Sequence, residues 1–200
     1  MDKEYKRWYK SFLGIRQRHT YWIYKVIDEI LNENKQIKGI IEIGTGAGAL
    51  SVFLGLECYE RNLKPLLTYD LKEFVKGDRE FKPFTEYKEP RLFKLLKIKY
   101  VARDCFNEES IQEIKEYAEE PIFIICDGGN KLKEFKYFAG LIKKDSIIAS
   151  HDWESISRSK LTEENTAETV KEHSLIPLHK EEWNSPPDYI KTCFWRKQNE

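Results

Sequence analysis

Two carboxylates and an imidazole follow two apolar runs in this sequence, and such side chains are suited to bind a metal ion or to move a proton. Asp127 comes directly after the run 121–126, and His151 and Asp152 come directly after the run 146–150. Short apolar, β-branched runs are typical of strands that are buried in a parallel sheet. Because the carboxyl ends of such strands meet at one edge of an open α/β sheet, the sequence predicts that Asp127, His151 and Asp152 share one crevice.

Three interpretations of this group remain open from the sequence. In the first, Asp127, His151 and Asp152 bind a divalent ion. Oxygen ligands suit Mg²⁺, and an imidazole also admits Mn²⁺, Fe²⁺ or Zn²⁺; Asn130 is a further candidate ligand. In the second, His151 is a general base without a metal, since an unperturbed imidazole has a pKa of about 6.5. In the third, Asp127 caps the following helix, and His151 and Asp152 bind loop backbone.

A glycine-rich turn follows the first apolar run, where the hydrophobic periodicity changes from that of a strand to that of a helix. The run 39–43 is apolar apart from Glu42, and residues 50–58 repeat hydrophobic side chains at helical spacing. Glycine has no Cβ, so the turn allows a small molecule to approach the backbone at a helix N-terminus. The sequence lacks the Lys of a Walker loop, and its G-x-G-x-G pattern differs from the dinucleotide fingerprint. A tight turn in another kind of α/β protein is the alternative.

A further acidic side chain, Asp70, ends the run 65–70, about 20 residues after the glycine turn. In doubly wound sheets a carboxylate at this place accepts hydrogen bonds from ribose hydroxyls. Charge-assisted hydrogen bonds contribute on the order of 1.5–3 kcal/mol each. Asp70 is therefore predicted to bind the ribose of a nucleoside-containing ligand.

The pattern E-x-G-x-G-x-G at residues 42–48 resembles motif I of the class I S-adenosylmethionine-dependent methyltransferases. The resemblance implies that S-adenosylmethionine is the cofactor and that the turn packs against its amino-acid end. In that family an Asp after the third strand, followed by a small or apolar residue, flanks the adenine. The resemblance therefore implies that Asp104 and Cys105 flank the adenine, and Phe106 is a further candidate for this contact. The predicted cofactor-binding residues are therefore Glu42, Gly44, Thr45, Gly46, Gly48, Asp70, Asp104, Cys105 and Asp127.

The ends of the fourth and fifth predicted strands resemble a metal-dependent subgroup that includes macrolide-sugar O-methyltransferases and cephalosporin-hydroxylase-like proteins. That subgroup has D-G-x-H after strand four and E-D after strand five, whereas this chain has D-G-G-N at 127–130 and H-D at 151–152. The resemblance covers about residues 12–153. It implies methyl transfer to a hydroxyl of a small molecule, assisted by Mg²⁺ or Mn²⁺. Asp127, His151 and Asp152 are the predicted catalytic and metal-binding residues.

The alternation of strand and helix patterns predicts an α/β fold in one domain of residues 1–200, with a helical cover over 1–35 and a Rossmann-like core over 36–200. Apolar positions at helical spacing predict an amphipathic helix from His19 to Leu31. The expected architecture is a three-layer sandwich around a mostly parallel seven-stranded sheet. The resemblance implies that its C-terminal strand is antiparallel.

Stretches of weak periodicity are the candidates for contacts with the methyl acceptor. Residues 1–18 are predicted to form a short helix over the core or the mouth of the site. Arg16, Arg18 and His19 form either a solvated helix entrance or substrate contacts. Residues 71–88 form either a substrate lid or an irregular surface excursion. The S-P-P-D segment at 185–188 is interpreted as a Pro-rich turn, because the [DNS]-P-P-[YF] loop of amino-methylating DNA enzymes should follow the fourth strand and end in an aromatic residue.

The composition narrows the classes of partner. The chain has 34 Lys and Arg residues and 34 Asp and Glu residues, so it has no net charge that would attract nucleic acid or an anionic membrane. Four scattered cysteines without a CxxC pair, and the absence of a signal peptide or a long apolar run, favour a cytoplasmic protein. The alternatives left open are a nucleic-acid or protein methyltransferase and a non-catalytic binder of S-adenosylmethionine or nucleotides. The oligomeric state is also left open, a homodimer included.

Overall fold

The computed structural model describes residues 13, 15, 19, 21–71, 91–154, 160–183 and 191–199. Several predicted features lie outside these residues. They are the short helix of residues 1–18, apart from Leu13 and Ile15; the lid of residues 71–88, apart from Leu71; and the turn at 185–188. Arg16 and Arg18 lie outside them as well. Within the described residues, helices and strands alternate in the order α1 Tyr21–Glu33, β1 Gly39–Ile43, α2 Ala49–Glu60, β2 Leu67–Asp70, α3 Arg91–Leu95, β3 Lys99–Ala102, α4 Glu108–Tyr117, β4 Ile122–Cys126, α5 Lys131–Leu141, β5 Ile147–His151, α6 Glu163–Glu172, β6 Leu175–Leu178, a 3₁₀ turn Lys180–Glu182 and β7 Thr192–Lys197.

The strands form a single seven-stranded sheet in the order β3-β2-β1-β4-β5-β7-β6. The pairs β1–β2, β1–β4, β2–β3 and β4–β5 are parallel, whereas β7 runs antiparallel to both β5 and β6. The predicted fold, with its antiparallel C-terminal strand, is thus confirmed. The strand order reverses between β1 and β4, and ligands in open α/β sheets bind outside the carboxyl ends of the strands at such a point.

Both faces of the central sheet are covered. All five residues of β1 and all five of β4 are buried. Successive side chains of a strand point to opposite faces, so this burial requires a packed layer on each side. The sequence of β4, Ile-Phe-Ile-Ile-Cys, has no polar position for the same reason. These rigid central strands fix the positions of the loops that follow them.

The element boundaries follow the predicted pattern closely. Helix α6 begins after Thr162, where Thr162 and Asn165 form a reciprocal capping box. The helix predicted from His19 begins at Tyr21 instead, which leaves His19 in the segment before it. Among the described helices, none combines the length and the hydrophobicity that crossing a membrane requires.

Candidate functional site

A cavity of about 810 Å³ lies at the carboxyl ends of the strands, beside the reversal between β1 and β4. Its size falls within the range of about 300–1,000 Å³ that is usual for small-molecule sites. Every predicted site residue lines it: Glu42, Gly44, Thr45, Gly46, Gly48, Asp70, Asp104, Cys105, Asp127, His151 and Asp152. The structure therefore brings the whole predicted set to one place, whereas the role of each residue stays a prediction.

The glycine turn joins β1 to the loop after β4. Gly44 has a φ of +98°, and a Cβ built there would lie 2.3 Å from the backbone oxygen of Asp127 and 2.7 Å from the backbone nitrogen of Gly128. Only glycine fits this close approach of two backbones. The backbone N–H groups of Gly44 and Thr45 both donate to the carbonyl of Tyr69, at 2.8 and 3.2 Å. The turn is thus held by β2 on one side and by the β4 loop on the other.

Asp70 is tied to the same turn. Its Oδ2 accepts a hydrogen bond from the backbone N–H of Gly46 at 2.9 Å. Gly46 has a φ of +52°, and a Cβ built there would meet nothing within 4 Å, so open space lies beside this part of the backbone. A carboxylate has two oxygens with several acceptor positions. The bond to Gly46 therefore helps to fix the orientation of Asp70 at the edge of the cavity.

Glu42 lies beneath the turn as a fully buried side chain. Its Oε2 accepts hydrogen bonds from Ser51 Oγ at 2.5 Å and from Thr68 Oγ1 at 2.6 Å, whereas Oε1 has no hydrogen-bond partner among the described residues. Burial raises the pKa of Glu42 to about 8, against the opposing effect of these two hydroxyl donors. The predicted contact of Glu42 with the cofactor is therefore limited to one buried oxygen, while the other oxygen joins β1, α2 and β2.

We expect Glu42→Gln to stabilise the ligand-free protein increasingly as the pH rises. The pKa of Glu42 is about 8 in the folded state, against an ordinary value of 4.5. The protonated form therefore contributes its full stability below pH 4.5, and this stability is lost as the pH rises through 8. Gln does not ionise, so its advantage should grow across this window to roughly 2–4 kcal/mol.

Urea unfolding of both proteins from pH 5 to 9 measures this difference. Glu60→Gln, at an exposed position of α2, offers a control for the same exchange of Glu by Gln. A stability difference between Glu42→Gln and the natural chain that stays constant over this pH range contradicts the account.

Asp104 and Cys105 lie at the end of β3, where the resemblance places the adenine. Asp104 is exposed, and its Oδ1 accepts from the backbone N–H of Phe106 at 2.9 Å. Cys105 is buried at 7 % exposure. Phe106 stacks on Phe138 and has Lys133 Nζ 3.8 Å from its ring centroid. With these two contacts on its ring, Phe106 offers little free face for stacking, so the predicted adenine contact there requires Lys133 to move.

A compact group of charged side chains forms the other wall of the cavity. We call it the charged cluster, and it consists of His19, Asp127, Lys131, His151 and Asp152. Asp127 lies at its centre, with Oδ2 3.1 Å from His19 Nε2, and Oδ1 3.4 Å from His151 Nδ1 and 3.5 Å from Lys131 Nζ. Asp152 is 3.3 Å from His151 Nδ1 and 3.2 Å from Lys131 Nζ. Two carboxylates thus share the same imidazole and the same ammonium group.

The pKa values in the charged cluster move in the directions expected of mutual ion pairs. Burial alone would raise the pKa of Asp127, but His151 and His19 outweigh it and hold that pKa well below its usual range. The hydrogen bond from His151 lowers the pKa of Asp152. Burial opposes the charge on His151, yet Asp127 and Asp152 raise the pKa of His151 to about 9. They raise the pKa of Lys131 in the same way.

At neutral pH the charged cluster therefore contains two carboxylates, an imidazolium and an ammonium, apart from His19. His151 donates its Nδ1 proton to carboxylate oxygens in this state. The predicted alternative of His151 as a general base needs the neutral imidazole, which its two acidic partners disfavour. Asp152 also has a φ of +66°, a left-handed conformation that non-glycine residues seldom adopt. Strained backbone of this kind is often found at functional sites.

Two residues of the charged cluster were not predicted as site residues. His19, interpreted from its neighbours as part of a solvated helix entrance or a substrate contact, is only 7 % exposed and faces Asp127. The solvated alternative is wrong for this residue, because the folded chain places His19 against Asp127 at the end of β4. Lys131 follows Asp127 by four residues and begins α5. The spacing of four residues is the signal in the sequence for an ion pair between Lys131 and Asp127, although Asp127 lies before the helix begins.

Asn130 caps α5, so two sequence interpretations change. Its side chain accepts from the backbone N–H of Lys133 at 3.1 Å, and its own backbone N–H donates to Glu134 Oε1 at 3.1 Å. Asn130 is therefore occupied as an N-cap and is not directed to a metal ion. The third interpretation, in which Asp127 caps this helix, is wrong for the same reason.

The charged cluster does not fit the predicted divalent ion well. The ammonium of Lys131 lies between the two carboxylates, and His151 Nδ1 directs a proton at both of them. A ligating imidazole nitrogen must be free of a proton. Within the described residues, His19, Asp127 and His151 bring one ligand atom each within 4.8 Å of one another. Two imidazoles and one carboxylate suit Mn²⁺, Fe²⁺ or Zn²⁺ rather than Mg²⁺, so the predicted metal remains a prediction.

Solved structures with the same fold include an O-methyltransferase and proteins solved with SAM or SAH. The apo-structure of CmcI-N160 superimposes with a TM-score of 0.62 at 12% sequence identity, covering 95% of this chain and 76% of that one. The SAH-containing structure of CmcI-N160 has a TM-score of 0.58 at 12% identity and covers 94% and 82%. The O-methyltransferase TomG from Streptomyces achromogenes, involved in tomaymycin synthesis and solved with SAM, has a TM-score of 0.50 at 13% identity and covers 100% and 91%.

At these identities the comparison establishes the fold. No protein-family model matches the sequence, and no curated protein sequence matches it. The expected α/β fold is thus confirmed by the sheet of this chain and by its superposition on these structures.

Proposed function

We propose that this chain is an S-adenosylmethionine-dependent methyltransferase that acts on a hydroxyl group of a small molecule. The observation that carries the proposal is the cavity at the β1–β4 reversal, which has the glycine turn with Asp70 on one wall and the charged cluster on the other. The first wall has groups that suit a nucleoside with an amino-acid end, and the second has groups that suit a polar acceptor. The structures of CmcI-N160 with SAH and of TomG with SAM, which share this fold, support it.

The residues of the first wall fit the cofactor. The cofactor carries an α-ammonium group, whose positive charge would favour the ionised form of Glu42 and would give its buried Oε1, unpartnered among the described residues, a donor. Asp70, oriented by Gly46, lines the part of the cavity where the ribose hydroxyls are proposed to bind, and the open space beside Gly46 lets a ligand approach the backbone. When bound, S-adenosylmethionine supplies a methyl group on a positively charged sulfur. In this proposal Glu42 and Asp70 orient the two ends of that molecule.

The charged cluster is proposed to hold the acceptor. A hydroxyl group donates to one oxygen and accepts from one donor, and the carboxylate of Asp152 and the ammonium of Lys131 lie 3.2 Å apart at the cavity. With the cofactor bound, methyl transfer would need the acceptor oxygen to be held in one place, and Lys131 and Asp152 would position it. A charged cluster fixed by several ion pairs restricts the positions open to that oxygen.

The size of the cavity and the net charge of the chain support a small molecule as the methyl acceptor. A cavity of about 810 Å³ has room for a cofactor and a small polar molecule. Equal numbers of acidic and basic residues give no net attraction for nucleic acid. Divalent-ion assistance by Asp127, His151 and Asp152 was predicted from the sequence, but no step of this proposal depends on it. The competing functions are methylation of nucleic acid or protein, and binding of the cofactor without catalysis.

Incubation with methyl-labelled S-adenosylmethionine and three separate acceptor pools distinguishes these functions. We expect label in a pool of hydroxylated small molecules and none in pools of nucleic acid or protein, with mass spectrometry showing a gain of one methyl group. Label confined to nucleic acid or protein contradicts the small-molecule proposal. Cofactor binding without label in any pool supports the non-catalytic alternative.

A further inference from the structure

We infer that Lys131 supplies the positive charge of the acceptor wall, in the place where a divalent ion would otherwise bind. The inference rests on the proposed function for the role of this wall, whereas the position of Lys131 itself does not depend on it. A resident ammonium group would let the charged cluster bind an acceptor oxygen without a metal ion.

Three oxygens surround the ammonium group. Lys131 Nζ donates to the carbonyl oxygen of Gly128 at 2.8 Å and lies 3.2 Å from Asp152 Oδ2 and 3.5 Å from Asp127 Oδ1. Carboxylate and backbone carbonyl oxygens are the ligands that hard divalent cations prefer. The oxygens come from two neighbouring strand ends, and the ammonium group fills the space between them.

Lys131 is held in this position by the start of α5. It is the first residue of that helix, and its side chain is 12 % exposed. The loop that precedes it is fixed by Glu134, whose carboxylate accepts from the backbone N–H groups of Gly128 and Asn130. Because the backbone before Lys131 is held by these hydrogen bonds, its side chain is less free to leave the carboxylates than a lysine on a flexible surface segment would be.

The carboxylates of the charged cluster already have a cationic partner without a metal. Lys131 Nζ lies 3.5 Å from Asp127 Oδ1 and 3.2 Å from Asp152 Oδ2. A divalent ion in the same place would bring two further positive charges within a few ångströms of the ammonium group. Repulsion at such distances is strong even at the higher effective dielectric of a protein surface. The ion would therefore have to displace Lys131.

Manganese titration, followed by electron paramagnetic resonance, tests this inference without any substrate. We expect the natural chain to bind Mn²⁺ weakly and Lys131→Ala to bind it about tenfold more tightly or better, because the two carboxylates then lack their ammonium partner. Lys136→Ala removes the same charge from an exposed position of the same helix and should behave like the natural chain. Lys131→Gln, which keeps a side chain of similar length, should also gain affinity.

The double variant Lys131→Ala, Asp127→Asn locates the gained site, since it should lose the added affinity. Equal Mn²⁺ affinity in the natural chain and Lys131→Ala overturns the inference, and so does a gain that survives in the double variant. Circular dichroism of each variant shows whether it is folded. A calorimetric titration with S-adenosylmethionine in the same preparations separates the two ideas, because absence of cofactor binding counts against the proposed function and leaves the manganese result standing.

Discussion

Replacing Gly44 by Ala should unfold the protein or reduce its free energy of unfolding by about 3–5 kcal/mol. A Cβ at this position would lie 2.3 Å from the carbonyl oxygen of Asp127, and the φ of +98° is already unfavourable for a residue with a side chain. Both contacts are with backbone, so no side chain can rotate to make room. The loops after β1 and β4 must separate, and the two walls of the cavity then lose their alignment.

Gly46→Ala is the matched control, because its φ is also positive, at +52°, but its Cβ meets nothing within 4 Å. It should cost only the conformational strain, on the order of 1 kcal/mol. Chemical denaturation of the two variants measures both values. Equal destabilisation by Gly44→Ala and Gly46→Ala would show that the backbone contact with Asp127 is unimportant.

Replacing Asp127 by Asn should reduce methyl transfer by about 100-fold or more, and should also destabilise the fold by about 3 kcal/mol. Asn has nearly the same shape, but it lacks the charge that faces His19, Lys131 and His151. Removing one partner of a buried ion pair leaves the others uncompensated. Lys131 and His151 then have only Asp152 as an acidic partner within the charged cluster, and the acceptor wall loses its fixed geometry.

Initial rates with the acceptor found in the labelled pool, together with urea unfolding, measure these two effects. Glu168→Gln removes a carboxylate from the exposed surface of α6 and should change neither quantity. The pH profile of unfolding adds a second readout. The low pKa of Asp127 means that its contribution to stability is present above the usual Asp pKa and is lost in acid, so this part of the acid sensitivity should disappear in Asp127→Asn. Unchanged transfer by Asp127→Asn contradicts the central role of this residue.

The sheet and its edge can be predicted from the sequence because the signals there are local. The apolar run at 39–43 changes to helical spacing after Gly48, and this change alone locates a strand, a turn and a helix. Parallel strands then bring their carboxyl ends together by topology, which is why Asp70, Asp127 and His151 are predicted to share one edge and do line one cavity.

The electrostatic arrangement of the site could not be predicted in the same way. His19 lies far from Asp127 in the sequence, and only the folded chain brings the two together. The raised pKa of His151 depends on two carboxylates from different strand ends. Both features are set by tertiary contacts, so residue types at strand ends indicate a site without specifying its charge states. The occupied state of Asn130 is a local feature instead, because its side chain caps α5 at the backbone N–H of Lys133.

Calorimetric titration with S-adenosylmethionine tests the central claim most directly. We predict saturable binding of one molecule per chain, weakened about tenfold or more in Asp70→Ala, because charge-assisted hydrogen bonds to the ribose contribute on the order of 1.5–3 kcal/mol each. Asp70→Asn keeps an acceptor for the Gly46 N–H and separates the loss of ligand contacts from a disturbed turn. Absence of binding by the natural chain, or equal affinity in Asp70→Ala, contradicts the assignment of this cavity to S-adenosylmethionine.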